Sequence, residues 1–167
     1  NSGDRLVDTL TSLRNAKTEC PDSTRVEVVA VDGLSSDGSP QILGDFPEVV
    51  GHVISETDDS MFSALAKGFA WLEEHHSVDW FGYVNAGDIL LPGSLRTLSL
   101  LLPTLDAIWI TGLNTYGSSS GGITHTRLPF KYRERFLKRG YYGTLLPGVQ
   151  QESTLWHQRA NSHLNWS

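Results

Sequence analysis

The chain has 167 residues and a mass of 18.4 kDa, the size of one ordinary domain. Hydrophobic residues at 39% and charged residues at 19% supply a core and exclude disorder as the default. Lys and Arg number 13 against 19 Asp and Glu, a net charge of −6, which argues against a nucleic-acid partner held by phosphate contacts.

Residues 5–16 place Leu6, Leu10 and Leu13 at helical spacing, with Asp4 as the candidate N-cap. Residues 26–31 (VEVVAV) predict a buried strand. It runs into Asp32-Gly33-Leu34-Ser35-Ser36-Asp37-Gly38, a loop of turn formers, and a short helix is expected from Ser39 to Leu43. Residues 49–54 (VVGHVI) predict a second strand. Ser60 to His75 predict a helix with Phe62, Leu65, Phe69 and Leu72 on one face. Residues 79–84 predict a third strand, ending in Asn85-Ala86-Gly87-Asp88. Pro92 then opens a Leu-rich helix to about Leu102.

Residues 107–111 (AIWIT) predict a further strand. Gly117-Ser118-Ser119-Ser120-Gly121-Gly122 is expected as a flexible loop over a site, and residues 129–139 as a basic amphipathic helix. Alternating strands and helices predict an α/β fold: a mostly parallel open sheet with helices on both faces.

No apolar run approaches the roughly 18 residues of a membrane span. The segment starting at Asn1 shows no signal-peptide pattern. Cys20 is the sole cysteine, so no internal disulfide is available, and a reducing compartment fits.

In such a sheet, ligands bind beyond the carboxyl ends of the strands. Asp32 follows the first predicted strand, Glu56, Asp58 and Asp59 the second, and Asp88 the third. Acids converging on one rim repel unless a cation or a donor-rich ligand intervenes. No GxGxxG, P-loop or GxSxG fingerprint competes. His75-His76 lacks further ligands at zinc spacing and is expected at the surface.

The runs VEVVAVDGLSSDGSPQIL, ISETDDSMFSALAKGFAWL, WFGYVNAGDILLPGSL and GVQQESTLWHQR together resemble the family-two inverting glycosyltransferases. The resemblance reaches from about residue 1 to 160. It implies the glycosyltransferase A-type, Rossmann-like fold in a single domain. Residues 1–111 would form the nucleotide-sugar-binding half and residues 112–167 the acceptor-side half. The family opens with an apolar strand ending in Tyr/Phe-Asn and continues past the position of Ser167, so a first strand and a C-terminal end are expected outside this segment.

The implied activity is transfer of a sugar, with inversion, from a nucleotide-diphosphate donor to a hydroxyl of a saccharide or lipid-linked saccharide. Surface-polysaccharide synthesis is the implied setting, in the cytoplasm or at the inner face of the membrane. By the resemblance, Asp32 binds the base, Asp37 lies near the nucleotide, and Asp58 and Lys67 line its pocket. Asn85 and Gln151 join them as nucleotide-sugar-binding residues. Asp88 is the implied ligand of Mn²⁺ or Mg²⁺, and Glu152 the general base. The turn at 85–88 departs from the family in carrying one carboxylate. Magnesium is commonly held by one or two carboxylates with phosphates and water.

Trp71, Trp80 and Trp156 are candidates for sugar stacking, with core packing the favoured role for the first two. His125 and Arg127, after the Gly/Ser loop, are candidates for closing over the diphosphate. Two alternatives stay open: a nucleotide-sugar-binding module that has lost catalysis, and a nucleotidyltransferase.

Overall fold

The computed structural model describes residues 3–118, 122–129, 131–139, 141 and 153–163. The chain divides into two compact units. One comprises Asn1–Asp79, Val84–Asp106 and Asn161–Ser167; the other comprises Trp80–Tyr83 and Ala107–Ala160.

The first unit is built on helix α1 (Gly3–Thr18). Its apolar stripe repeats at intervals of three and four, so Leu6, Leu10 and Leu13 fall on one face. That face is buried with Leu43, Val49 and Val50, and Ala30, Ile42, Phe46, Val84 and Leu90 pack around the cluster. Each large side chain removed from water contributes roughly 1.5–3 kcal/mol. Helix α2 (Ser39–Gly44) delivers Leu43 to this core.

Strand β1 (Val29–Asp32) pairs in parallel with β2 (His52–Ser55), aligning Val29 with His52 and Asp32 with Ser55. Helix α3 (Met61–His75) begins at Ser60, whose hydroxyl accepts the Ser63 N–H at 3.1 Å. This is the N-cap geometry that serine favours, because it satisfies a helix-end donor. Gly68 brings α3 close to β1: a Cβ at that position would stand 3.1 Å from Val31 Cγ2. Helix α4 (Ser94–Leu101) follows, continued by a 3₁₀ turn at Leu102–Thr104.

The second unit holds β3 (Trp80–Phe81), β4 (Trp109–Thr111), β5 (Asn114–Gly117), β6 (Ile123–Arg127), the short helix α5 (Glu134–Leu137) and β7 (Thr154–His157). β7 runs antiparallel between β3 and β4. Trp156 is its buried centre, paired with Phe81 on one side and Trp109 on the other, at ring separations of 6.1 and 6.0 Å. β5 and β6 form an antiparallel hairpin. Gly117 and Gly122, expected within a loop, stand at the turn of that hairpin, where the Gly122 carbonyl accepts the Ser118 N–H at 2.8 Å.

These pairings overturn the expected mostly parallel open sheet with helices on both faces, and with it the glycosyltransferase A-type, Rossmann-like architecture. The described strands form one parallel pair and antiparallel sheets of three and two strands. The cause is the partner of β3. Its two aromatic residues pair with Trp156 and His157 across an antiparallel ladder, where aromatic cross-strand pairs add stabilisation, instead of extending the β1–β2 pair. Among the described residues, no helix is long and apolar enough to cross a membrane.

Candidate functional site

The β1–β2 pair carries two acidic loops from the same end of the strands. Asp32 closes β1 and is buried, 7% exposed. The Ser35 N–H lies 3.3 and 3.1 Å from its two carboxylate oxygens, and the hydroxyl of its register partner Ser55 donates to Oδ2 at 3.2 Å. Burial pushes the Asp32 carboxyl up. The hydrogen bonds from Ser35 and Ser55 outweigh it and hold the group below the usual carboxylate range. The result is a buried acid kept ionised by its own loop.

The loop turns at Leu34, whose φ of 60° lies in the left-handed region and whose side chain is exposed. A non-glycine residue there carries backbone strain, which surrounding structure must offset. Asp37 follows. Its carboxylate accepts the N–H of Ser39, the first residue of α2, at 2.9 Å. Hydrogen bonds from Ser39, and a smaller contribution from the Gly3 N–H, hold Asp37 below the usual range.

The β2 loop meets the β1 loop at Gly33, where a Cβ would stand 3.7 Å from Asp58 Oδ2. The other oxygen, Asp58 Oδ1, accepts from Lys67 Nζ at 2.6 Å. Lys67 comes from the second turn of α3. Its ammonium also lies 2.9 Å from the Thr57 carbonyl and 2.9 Å from Glu56 Oε1. Asp58 and then Glu56 raise the lysine pKa. An ammonium has three N–H donors; here two hydrogen bonds, to Asp58 and Thr57, and one ion pair, with Glu56, join it to the loop before α3.

The turn at 85–88 is placed by α1, not by the sheet. Thr9, 4% exposed, accepts the Gly87 N–H at 2.8 Å and donates to the Asp88 carbonyl at 2.8 Å. The Ser12 hydroxyl accepts the Leu90 N–H at 3.1 Å. Gly87 has φ 111°, a backbone conformation open to glycine. Within the turn, Asn85 donates twice to Asp88 Oδ2, from its N–H at 3.3 Å and its side-chain amide at 3.2 Å. Asn85 thus orients Asp88.

Both Asn85 bonds fall on Oδ2. Among the described residues, no three His, Cys, Asp or Glu side chains converge as a metal-binding group. The turn at 85–88 offers one carboxylate, that of Asp88.

Asp32, Asp37, Asp58, Lys67, Asn85 and Asp88 all belong to the first unit. Asp58 approaches Gly33, the residue that follows Asp32. The Asp88 turn engages α1 through Thr9. Gln151 and Glu152 lie outside the described residues. His125 and Arg127 are exposed on β6 in the second unit.

Trp156 is 3% exposed and has no open face for a sugar. Trp71 lies between His52 and His75, stacked at 4.3 and 4.2 Å. Trp80 makes an edge contact with His157. A hollow of about 180 Å³ on α3, lined by Ala66, Phe69, Ala70, Glu73 and Asn161, contains none of the candidate residues.

Two positioning groups escaped the sequence reading. Thr9 could have been found as a polar residue on the apolar stripe of an amphipathic helix. Ser55 could have been found as the residue opposite Asp32 once the two strands are aligned. No family model, curated protein or solved structure matches the chain.

Proposed function

We propose that this chain binds a nucleotide-diphosphate sugar at the Asp32–Asp58 rim and transfers the sugar, with inversion, to a hydroxyl of a saccharide or lipid-linked acceptor. The observation that carries the reading is the pair of acidic loops meeting at Gly33, with the buried Asp32 held as an anion beside Asp58. The proposal rests on this loop chemistry and on the motif resemblance, not on sheet architecture.

An ionised carboxylate in a sheltered loop is an acceptor for the N–H edge of a base or for ribose hydroxyls. Asp32 takes that role, with Asp58 beside it and Asp37 at the rim of the same loop. An acidic rim repels a bare diphosphate, so the donor would enter with Mn²⁺ or Mg²⁺ against Asp88, oriented by Asn85. The ion supplies neutralisation of charge on the departing diphosphate.

The reaction itself is a single displacement. The acceptor oxygen bonds to the anomeric carbon as that carbon's bond to the β-phosphate oxygen breaks. The nucleoside diphosphate leaves with the bonding pair, and the hydroxyl proton passes to a carboxylate. Glu152, with Gln151 beside it, fills the base role by resemblance. General-base assistance of this kind contributes about 10²–10⁴-fold.

The test is release of nucleoside diphosphate from UDP-, GDP- and dTDP-sugars in the presence of MnCl₂ and saccharide acceptors. Asp88→Ala should remove the metal-dependent release in a folded chain. Glu152→Gln should keep nucleotide binding and lose transfer, and retained turnover removes Glu152 as the base. A second reading, a nucleotide-sugar-binding module without catalysis, is favoured by the single carboxylate of the 85–88 turn. Saturable binding with no release to any acceptor selects it.

A further inference from the structure

We infer that Lys67 is a positioning residue that acts on the ligand site through Asp58, pinning the 56–58 loop against β1 instead of contacting the ligand phosphates. This deepens the function proposed above and rests on that reading for its binding arm.

Lys67 Nζ meets the Asp58 carboxylate, the Thr57 carbonyl and the Glu56 carboxylate at 2.6, 2.9 and 2.9 Å. Two N–H groups of the ammonium are taken by hydrogen bonds to Asp58 and Thr57 and its charge is paired with the Glu56 carboxylate, so a phosphate would compete with this pairing. The partners are consecutive residues, so one cation ties three successive positions of the loop that follows β2. Glu56 enters that loop with its N–H bonded to the Asp32 carbonyl at 3.1 Å. The clamp therefore ties the β2 loop to the same strand end that carries the buried acid.

With Oδ1 of Asp58 held by Lys67, Oδ2 is the oxygen directed at Gly33. The absence of a side chain at Gly33 keeps that oxygen uncovered from that direction. The Lys67 side chain is 29% exposed and the Asp58 side chain 11%. The raised pKa of Lys67 agrees with a cation whose charge is stabilised by this loop.

The test uses Lys67→Met, which keeps most of the stem and removes the charge, Lys67→Arg, which restores a cation with several donors, and Asp58→Asn. In the ligand-free chain, amide hydrogen exchange at residues 56–59 should quicken by about tenfold or more in Lys67→Met. Exchange at Val29–Val31 should stay at the wild-type rate, and Lys67→Arg should recover most of the protection. Unchanged exchange at 56–59 overturns the clamp, and so does equal loosening of β1, which would mark a general loss of stability.

Calorimetry with UDP and MnCl₂ then separates the two roles. Lys67→Met and Asp58→Asn should each weaken UDP by about tenfold, and the double variant should be no weaker than the single ones, because the lysine works through the aspartate. Losses that multiply in the double variant mark a direct phosphate contact and overturn the inference. If wild-type chain fails to bind UDP, the proposed function falls, and the exchange measurement still decides the clamp.

Discussion

The Thr9 hydroxyl donates to the Asp88 backbone carbonyl at 2.8 Å, joining residues 79 apart in the chain. The same oxygen accepts the Gly87 N–H, so one threonine holds both sides of the turn that carries the candidate metal ligand. Without it, a donor and an acceptor beside a buried position lose their partner. Unmet hydrogen-bonding groups of this kind cost about 1–3 kcal/mol. Thr9→Val should therefore lower unfolding stability by about that amount in urea titrations. Thr9→Ser should retain most of it, and a loss in Thr9→Ser with none in Thr9→Val would place the effect in packing of the methyl group.

Asp32 predicts a pH dependence with a defined sign. Its folded-state pKa lies below the ordinary carboxylate value of about 3.9. The stability it contributes is fully present above the unfolded value and is lost as pH falls through the folded value. The gap in urea midpoint between wild type and Asp32→Asn should hold steady from about pH 7 to 5 and narrow below about pH 4. Asp37 shifts in the same direction, so both chains in the comparison should carry Asp37→Asn. A gap that stays constant to low pH would show that Asp32 gains nothing from its Ser35 and Ser55 donors.

Gly68 sets the approach of α3 to β1. Alanine there gains about 1 kcal/mol of helix propensity and meets Val31 Cγ2 at 3.1 Å, so the two effects oppose each other. Gly68→Ala should change stability by less than about 1 kcal/mol, while Gly68→Leu should cost about 1–3 kcal/mol by overpacking. Because Val31 precedes Asp32, the leucine variant should also disturb the Ser35 and Ser55 hydrogen bonds. Amide chemical shifts at Ser35 and Ser55 measure this directly.

Helices α1 and α3 were legible because their signals are local, whereas the helix expected over residues 129–139 is confined to Glu134–Leu137 among the described residues. Leu6, Leu10 and Leu13 declare α1, and Ser60 declares the start of α3. The valine run before Asp32 and the run before Ser55 were legible as strands, as were the acids that follow each. Strand partners were not legible, because pairing joins residues far apart and an alternation of strand and helix does not say which edges meet. Trp156 decides the outcome: read in sequence as part of a motif, it sits at the centre of the sheet that captures β3. Ile123–Arg127, with all five residues exposed, lacks the alternating burial that would mark it as a strand. Lys67 was legible as a site residue, but its three partners appear only once the 56–58 loop folds back over α3.

The most direct measurement of the central claim, that two acidic loops meeting at Gly33 form a nucleotide site, is calorimetric titration of the chain with UDP in the presence of MnCl₂, in wild type and Asp32→Ala. Saturable binding is predicted for wild type, weakened by about tenfold or more in the variant, with GDP and dTDP as competing choices for the base. No saturable binding of any of the three diphosphates to folded wild-type chain, or equal affinity in Asp32→Ala, would contradict the account.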